Sequence, residues 1–163
     1  MTSVKIYLDS CIFVAYVHKK DKNNRGVSEC ISSMEQLDLD ACSSDWALAE
    51  MVKVLVIEYR YPKEKALKLA DKIRKEKKIG NISLRWLKIG FNKQRGYGSK
   101  EFFEHLRNQM LEAKDLHIAD AIHSLIMSNN KIINILTTDK DFITLNTVHV
   151  IHPKTLVIIR PKK

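Results

Sequence analysis

The sequence has few cysteines and no long apolar run. Its three cysteines, Cys11, Cys30 and Cys42, form an odd set without CxxC spacing, which indicates neither a disulfide framework nor a zinc cluster. No stretch is long and apolar enough to span a bilayer. The apolar amino-terminal stretch is interrupted by Asp9 and lacks the cleavage site of a signal peptide. We therefore expect a soluble, cytoplasmic protein without a membrane partner.

Acidic residues are in the minority. The 163 residues include 28 Lys and Arg against 19 Asp and Glu, a formal net charge of +9. Such a surface attracts polyanions, of which nucleic acid is the obvious one. The charged fraction of 29% is close to the ordinary value, so the sign of the charge carries the signal. The length and the apolar content of 45% predict a single domain over residues 1–163.

Several nucleotide-binding and phosphate-transfer motifs are also missing. The sequence contains neither GxxxxGK nor GxGxxG, which disfavours an NTPase or a dinucleotide-dependent enzyme. A phosphatase or phosphotransferase with Asp9 as its nucleophile would carry a second Asp two residues later, where this chain has Cys11. The sequence also lacks internal repeats and low-complexity segments.

The segment KIYLDSCIFVAY predicts a strand, a tight turn and a helix. Val4, Ile6, Tyr7 and Leu8 form a short β-branched and aromatic run. Ile12, Phe13 and Tyr16 then recur at helical spacing. Asp9 lies at the turn, and the carboxyl ends of parallel strands are where ligands bind. Asp9 is therefore a candidate site residue, although a short polar residue here can also simply cap the helix.

The rest of the chain alternates between helical and extended patterns. We predict helices over 27–37, 46–59, 63–77 and 100–114, with a further helix opening at LHIADAIHSLIM. We predict strands over 39–43 and 132–136, and one or two more over 148–151 and 156–159. Such alternation predicts an α/β fold with a mainly parallel sheet.

Four further acids accompany these elements. Glu50 lies at the edge of the apolar face of its helix. Asp120 is set among apolar residues, which costs several kcal/mol unless the carboxylate is paired or bound to a metal ion. Asp139 follows the apolar strand IINIL, with Asp141 two residues later. The flanking histidines, His117 and His123, are weak evidence for a metal site, and we expect them to pack or to form hydrogen bonds.

Four of these acids are expected to converge, because strand ends and helix starts gather at one edge of such a sheet. They are Asp9, Glu50, Asp120 and Asp139. Two unit charges about 4 Å apart repel by roughly 4 kcal/mol at an effective dielectric of 20, so the cluster needs cations. Hard oxygen ligands suit Mg²⁺ or Mn²⁺, which can activate water against a phosphodiester.

The same segments resemble the PIN-domain nucleases, a family that includes the toxins of VapBC toxin-antitoxin pairs. YLDSCIF resembles the first strand of the family with its first acid, and ALAEMVKVL resembles the helix with the second. HIADAIHSLIM resembles the segment of the third acid, and ILTTDKDF the threonine-aspartate motif that ends the fourth strand. The resemblance covers nearly the whole chain and implies a three-layer α/β/α fold with a central, mainly parallel sheet.

Carried over residue by residue, the resemblance implies a ligand set. Asp9, Glu50, Asp120 and Asp139 become the catalytic metal ligands for Mg²⁺ or Mn²⁺. Asp141 is implied as a further ligand or a neighbouring acid, and Ser10 and Thr138 as supporting polar residues. The family also implies dimers, and we expect a homodimer that uses exposed apolar residues of the helices over 27–37 and 46–59.

One segment departs from the family pattern. Residues 78–114 are longer than in the compact toxins and form a possible insertion that mixes cations with aromatic residues, as single-stranded nucleic-acid sites do. The basic residues that we expect to contact RNA are Lys72, Arg85, Lys93 and Arg95.

The leading functional hypothesis is a metal-dependent endoribonuclease, either a toxin with a cognate antitoxin or an RNA-processing enzyme. The alternative is a PIN-like module that binds RNA or protein without cutting. Loss of one of the acids would favour the alternative, and none of the four is missing.

Overall fold

A computed structural model describes residues 3–88, 104, 106–108, 110–111, 117–145 and 147–158. Its strands are β1 (Val4–Leu8), β2 (Leu39–Ser44), β3 (Lys78–Ile79), β4 (Ile82–Ser83), β5 (Arg85–Leu87), β6 (Asn134–Leu136) and β7 (His149–Ile151). Its helices are α1 (Ser10–Val17), α2 (Asn24–Met34), α3 (Asp45–Ile57), α4 (Lys63–Glu76), α5 (Ile118–Asn129) and α6 (Pro153–Ile158), with a 3₁₀ helix at Asp141–Thr144.

Five strands form the central sheet in the order β5-β2-β1-β6-β7. All four neighbouring pairs are parallel, which confirms the predicted parallel sheet. Strands β3 and β4 form a separate antiparallel pair. Within the part of the chain that the structure describes, the sheet therefore places the chain's first strand, β1, at its centre.

The register brings the carboxyl ends of three strands to one edge. Leu8 at the end of β1 lies beside Leu136 at the end of β6, and Tyr7 lies beside Cys42 of β2. The backbone N–H of Asp9 donates to Leu136 O at 3.1 Å, which continues the ladder one residue beyond β1. The residues that follow β1, β2 and β6 thus meet at the same edge, as the sequence predicts.

Alternation along β1 divides the core between the two faces of the sheet. Ile6 and Leu8 pack with residues of α1, α2, α3 and α4, whereas Tyr7 points to the other face, towards α5 and Phe142. Side chains of a strand alternate between faces, so the consecutive buried residues Ile6, Tyr7 and Leu8 of β1 need cover on both faces of the sheet. The helices on the two faces supply that cover and confirm the α/β fold with a layer of helices on each side of the sheet.

The sequence-based boundaries are close to those of the structure except near the carboxyl terminus. We predicted a strand over 156–159, but residues 153–158 form helix α6. Pro153 occupies the first position of this helix, where its missing N–H costs nothing. Leu156 is buried in the core cluster that also contains Val27 of α2. Contact with α2 therefore outweighs the extended preference of the apolar run.

The segment over 78–114 is described only in part. Its first residues supply β3, β4 and the edge strand β5, so this portion belongs to the fold. Leu106 is helical and is buried in the core on the α5 face of the sheet. The remainder of the possible insertion, including most of the helix predicted over 100–114, lies outside the described residues. Within the described residues, no helix combines the length and the apolar character that crossing a bilayer requires.

Candidate metal centre

Asp9 caps helix α1 and also faces the site. Its Oδ1 accepts a hydrogen bond from the Ser10 N–H at 2.6 Å, and Ser10 Oγ lies 3.2 Å from the same oxygen. Its Oδ2 accepts from Thr137 Oγ1 at 2.7 Å and from Cys11 Sγ at 3.3 Å. The Asp9 residue is 4% exposed. The two interpretations of Asp9 from the sequence, helix cap and site residue, therefore both describe its position.

Cys11 remains a thiol in this setting. Burial, and then the negative charge of Asp9, raise the pKa of Cys11 well above its ordinary value. The protonated sulfur can donate to Asp9, and it accepts a hydrogen bond from the Thr138 N–H at 3.2 Å. Cys11 thus adds a donor to the Asp9 carboxylate without adding a charge.

Thr137 links the two acids that follow β1 and β6. Its hydroxyl group donates to Asp9 and accepts the Asp139 N–H at 2.9 Å, and the side chain is fully buried. Thr138, expected together with Ser10 as a supporting polar residue, donates its backbone N–H to Cys11 Sγ, and it is Thr137 that contacts Asp9. Asp139 is oriented further, because its Oδ1 accepts the Asp141 N–H at 2.9 Å.

Glu50 reaches the site from α3, which begins directly after β2. Ser44 caps this helix, with its Oγ accepting the Ala47 N–H at 3.4 Å. The Glu50 carboxylate is hydrogen-bonded through Oε2 to Nε2 of His123. The same ring nitrogen lies 3.3 Å from Asp9 Oδ1. His123 therefore lies between the carboxylates of the first two acids in the sequence pattern.

The environment of His123 favours its charged form. Burial by itself lowers the pKa of the imidazole, but the hydrogen bond to Glu50 and the charges of Asp9, Glu50 and Asp120 outweigh burial and raise it. The protonated ring offsets part of the repulsion between Asp9 and Glu50. The sequence-based expectation that His123 forms hydrogen bonds thus agrees with the structure, although its partners are site residues.

A second group of carboxylates adjoins the first. Asp120, Asp139 and Asp141 each offer an oxygen, and these oxygens lie within 4.8 Å of one another. Burial, followed by the charges of Asp139 and Asp9, raises the pKa of Asp120 to about 6. His117 lies at the rim, with Nε2 3.9 Å from Asp141 Oδ2. The raised pKa of Asp120 therefore reflects burial first and the repulsion between neighbouring carboxylates second.

The chemistry of these side chains fits a divalent cation. Carboxylate oxygens in groups of two or three are the ligands that Mg²⁺ and Mn²⁺ prefer, and a cation offsets the repulsion that raises the pKa of Asp120. The cluster is partly enclosed, since Asp9 and Asp120 are buried while Asp139 and Asp141 are half-buried. An ion held here would have access to solvent or substrate on the Asp139 side.

The expected RNA-binding residues are less clearly associated with the acids. Lys72 is exposed on α4. Arg85 donates from Nη2 to Asp40 Oδ2 at 2.8 Å and from Nε to the same carboxylate, so its guanidinium group is already paired. Lys93 and Arg95 lie outside the described residues.

Two site residues could have been recognised from the sequence. His123 follows Asp120 by three positions in a helix, which places both side chains on one helical face. Thr137 directly precedes the TDKD segment and is adjacent to Thr138, the threonine that the sequence indicates. Tyr7, in contrast, reads as an ordinary core aromatic, and only the structure shows its hydroxyl group 2.8 Å from His123 Nδ1.

A model of the PIN domain family matches residues 6–147. No curated protein sequence is significantly similar to the chain. Among solved structures, VapC20 of Mycobacterium tuberculosis, described as a toxin that cleaves the sarcin-ricin loop, is 15% identical with a TM-score of 0.60. That match covers 86% of this chain and 95% of VapC20.

Two further structures show the same likeness of fold. VapBC2 of Rickettsia felis, solved with a DNA fragment from its promoter, is 12% identical with a TM-score of 0.62, over 91% of this chain and 98% of that one. FitAcB of Neisseria gonorrhoeae is 17% identical with a TM-score of 0.54, over 91% and 97%. Since the family model spans most of the sequence, the chain belongs to the PIN domain family.

Proposed function

We propose that this protein is a metal-dependent endoribonuclease that hydrolyses RNA phosphodiester bonds. The observation that carries the proposal is the gathering of the predicted acids at one sheet edge: Asp9 and Glu50 meet around His123, and Asp120 and Asp139 lie beside them with Asp141. Such a cluster is costly without cations. The rest of the protein is basic, with a net charge of +9, so the acids stand out against a surface that attracts RNA.

The proposed ligands for Mg²⁺ or Mn²⁺ are Asp9, Glu50, Asp120, Asp139 and Asp141. When bound, a divalent ion lowers the pKa of a water molecule and neutralises charge on a phosphodiester. Hydrogen bonds from Ser10, Cys11 and Thr137 hold both oxygens of Asp9 in fixed orientations. Fixed ligands lower the reorganisation that reaction requires. The half-buried acids, Asp139 and Asp141, form the side of the cluster that RNA can approach.

The test is cleavage of end-labelled single-stranded RNA with Mg²⁺ or Mn²⁺. We expect cutting that EDTA abolishes and that Asp9→Asn reduces by at least about 100-fold, since this change removes a carboxylate charge at the reacting centre. Asp38→Asn is a matched control, because Asp38 is an exposed acid that belongs to neither group of clustered carboxylates. Absence of cutting with either ion, together with salt-sensitive RNA binding, would refute the nuclease and support the non-catalytic module.

We further propose that the protein is the toxin of a type II toxin-antitoxin pair. Support comes from the PIN fold that it shares with VapC20, itself described as a toxin. The partner would be a small antitoxin encoded in a neighbouring reading frame, and the toxin would act as a homodimer. Growth arrest on induction of this chain, relieved by co-expression of the neighbouring frame and absent in Asp9→Asn, is the expected result. Arrest that persists in Asp9→Asn would contradict the proposal.

A further inference from the structure

His123 directs one ring nitrogen at the carboxylates of the site. Its Nε2 lies 3.3 Å from Asp9 Oδ1 and is hydrogen-bonded to Glu50. One ligand atom each from Asp9, Glu50 and His123 lies within 4.8 Å of the other two. Ligands about 2.1 Å from a shared ion are separated by roughly 3–4 Å, so small side-chain movements would bring all three onto one ion.

The other ring nitrogen is fixed by a buried chain of hydrogen bonds. His123 Nδ1 lies 2.8 Å from the Tyr7 hydroxyl group, which lies 2.7 Å from Ser44 Oγ. By donating its hydroxyl proton to Ser44 Oγ, Tyr7 can accept the Nδ1–H of His123. Metal-binding histidines are typically held in this way, with the second nitrogen donating to an oxygen.

The ring cannot easily turn away from an ion at Asp9 and Glu50. The His123 side chain is 0% exposed. It packs against Tyr7, with ring centroids 5.5 Å apart, and against Phe142 at 6.3 Å. If an ion takes the place of the proton on His123 Nε2, the lone pair of that nitrogen points at the ion, beside the carboxylates of Asp9 and Glu50.

A site with one imidazole nitrogen and two carboxylates prefers different metal ions from a site that contains only oxygen ligands. Imidazole nitrogen favours transition-metal ions, whereas Mg²⁺ prefers oxygen ligands and retains several waters. The neighbouring group, Asp120, Asp139 and Asp141, contains only carboxylates. The two groups thus present unequal donor sets at the same edge of the sheet.

We propose that His123 is a direct ligand of the cation held by Asp9 and Glu50, and that this position selects Mn²⁺ or a similar transition-metal ion over Mg²⁺. The inference rests on the proposed function of the same site and adds a nitrogen ligand to the all-carboxylate set expected from the sequence.

Pulsed EPR of Mn²⁺ bound to the wild-type chain tests the inference without any variant. We expect a ¹⁴N coupling of imidazole to Mn²⁺ that changes to a ¹⁵N pattern when the histidines are ¹⁵N-labelled. The coupling should disappear in His123→Asn and remain in His117→Asn, which is the matched control because His117 lies near Asp141 at the rim. Bound Mn²⁺ without a nitrogen coupling, a coupling that survives His123→Asn, or no bound Mn²⁺ would each overturn the inference.

Calorimetry provides the selectivity measurement. His123→Asn should weaken Mn²⁺ binding by more than about 100-fold, because loss of an outer hydrogen bond alone costs roughly 10- to 100-fold. Mg²⁺ binding should change little, because Mg²⁺ prefers the oxygen ligands that remain. Tyr7→Phe should weaken Mn²⁺ binding by about tenfold. An equal loss for both ions in His123→Asn would overturn the proposed selectivity.

The RNA cleavage assay separates the two proposals. A nitrogen coupling in a protein that cuts no RNA would refute the nuclease and leave the ligand assignment standing. Metal-dependent RNA cutting without the coupling would refute the ligand assignment alone.

Discussion

The two oxygens of the Asp9 carboxylate accept hydrogen bonds from different donors. One of the donors to Oδ2 is Thr137, which lies 128 positions later in the chain. Thr137 donates to this oxygen and also accepts the Asp139 N–H, so one hydroxyl group fixes two acids. Because Thr137 is fully buried, water cannot readily replace its hydrogen bonds to Asp9 and Asp139 if the hydroxyl group is removed. Thr137 is therefore expected to matter for both stability and cation binding.

Thr137→Val keeps the shape of the side chain and removes its hydroxyl group. We expect the free energy of unfolding to fall by about 1–3 kcal/mol, the usual cost of leaving buried polar groups unpaired. Mn²⁺ affinity should also fall, because Asp9 and Asp139 lose their common support. Urea denaturation and calorimetry measure the two effects.

Thr138→Val is the control for that prediction. Thr138 is half-buried, and its hydrogen bond to the sulfur of Cys11 comes from the backbone N–H, which the substitution keeps, so we expect a loss of less than about 1 kcal/mol. A larger loss in Thr138→Val than in Thr137→Val would show that the wrong threonine has been assigned to the site.

At the level of residues, the sequence predicts acids better than it predicts their partners. Asp9 and Asp139 follow apolar strands, and Asp120 interrupts an apolar helical face, so each leaves a local signal. Tyr7 leaves none, because a buried aromatic residue in a strand is the normal case. Thr137 and Thr138 are adjacent, and alternation along an extended segment decides which one faces Asp9. Only the register of β6 against β1 settles that choice.

Among the elements, the junction of β2 and α3 controls where Glu50 lies. Ser44 is the last residue of β2, and its side chain caps α3. The same Oγ is hydrogen-bonded to the Tyr7 hydroxyl group, which in turn contacts His123. The helix that it starts carries Glu50 in its second turn. A change at Ser44 should thus act on the element as well as on the site.

Ser44→Ala removes both the cap and the Tyr7 contact. We expect a loss of about 1–2 kcal/mol in the free energy of unfolding, the usual cost of removing such a cap. Thermal or urea denaturation followed by circular dichroism measures it. Ser32→Ala, on the exposed face of α2, should change stability by less than about 0.5 kcal/mol. Equal effects of the two substitutions would show that the Ser44 cap contributes nothing.

The predictions of secondary structure agree with the structure where the local sequence pattern and the tertiary packing favour the same element. α3 has helical periodicity, β1 and β6 belong to short, mainly apolar runs, and the packing around each of the three elements requires the same structure. Residues 153–158 are different: the apolar run reads as extended, yet the segment is a short helix. Its burial against α2 depends on residues far away in the sequence, and a six-residue run is too short for its own pattern to decide.

For the whole molecule, the acid cluster is a source of instability that a cation can relieve. Burial and neighbouring charges disfavour the ionised form of Asp120 near neutral pH, since they raise its pKa to about 6. We expect Asp120→Asn to stabilise the metal-free protein by on the order of 1–2 kcal/mol, because each pKa unit corresponds to about 1.4 kcal/mol and part of the gain is lost in the substitution.

Addition of Mn²⁺ should raise the melting temperature of the wild-type protein and should raise that of Asp120→Asn much less. Binding to the folded state alone stabilises by about 2.7 kcal/mol when the ion is present at 100 times its dissociation constant. Differential scanning fluorimetry with EDTA as the reference provides the measurement. Equal shifts in the two proteins would show that Asp120 does not take part in cation binding.

The net charge of the molecule predicts how its affinity for RNA should depend on the salt concentration. With a net charge of +9, RNA binding by the inactive Asp9→Asn variant should weaken steeply with salt. The slope of log affinity against log salt should be about −0.7 for each phosphate neutralised on a single strand. Fluorescence anisotropy between 50 and 300 mM salt tests this. A flat profile would show that the basic surface does not contact the RNA backbone.

The hydrogen bond from Thr137 to Asp9 joins residues 128 positions apart. β6 must therefore take its place beside β1 before the first acid acquires its final orientation, and β6 is among the last strands to be synthesised. A chain still growing on the ribosome thus carries its first acid from the start but cannot complete the site until most of the domain has emerged. Under the proposed function, this order of assembly would keep the set of metal ligands incomplete while the ribosome is still translating the chain.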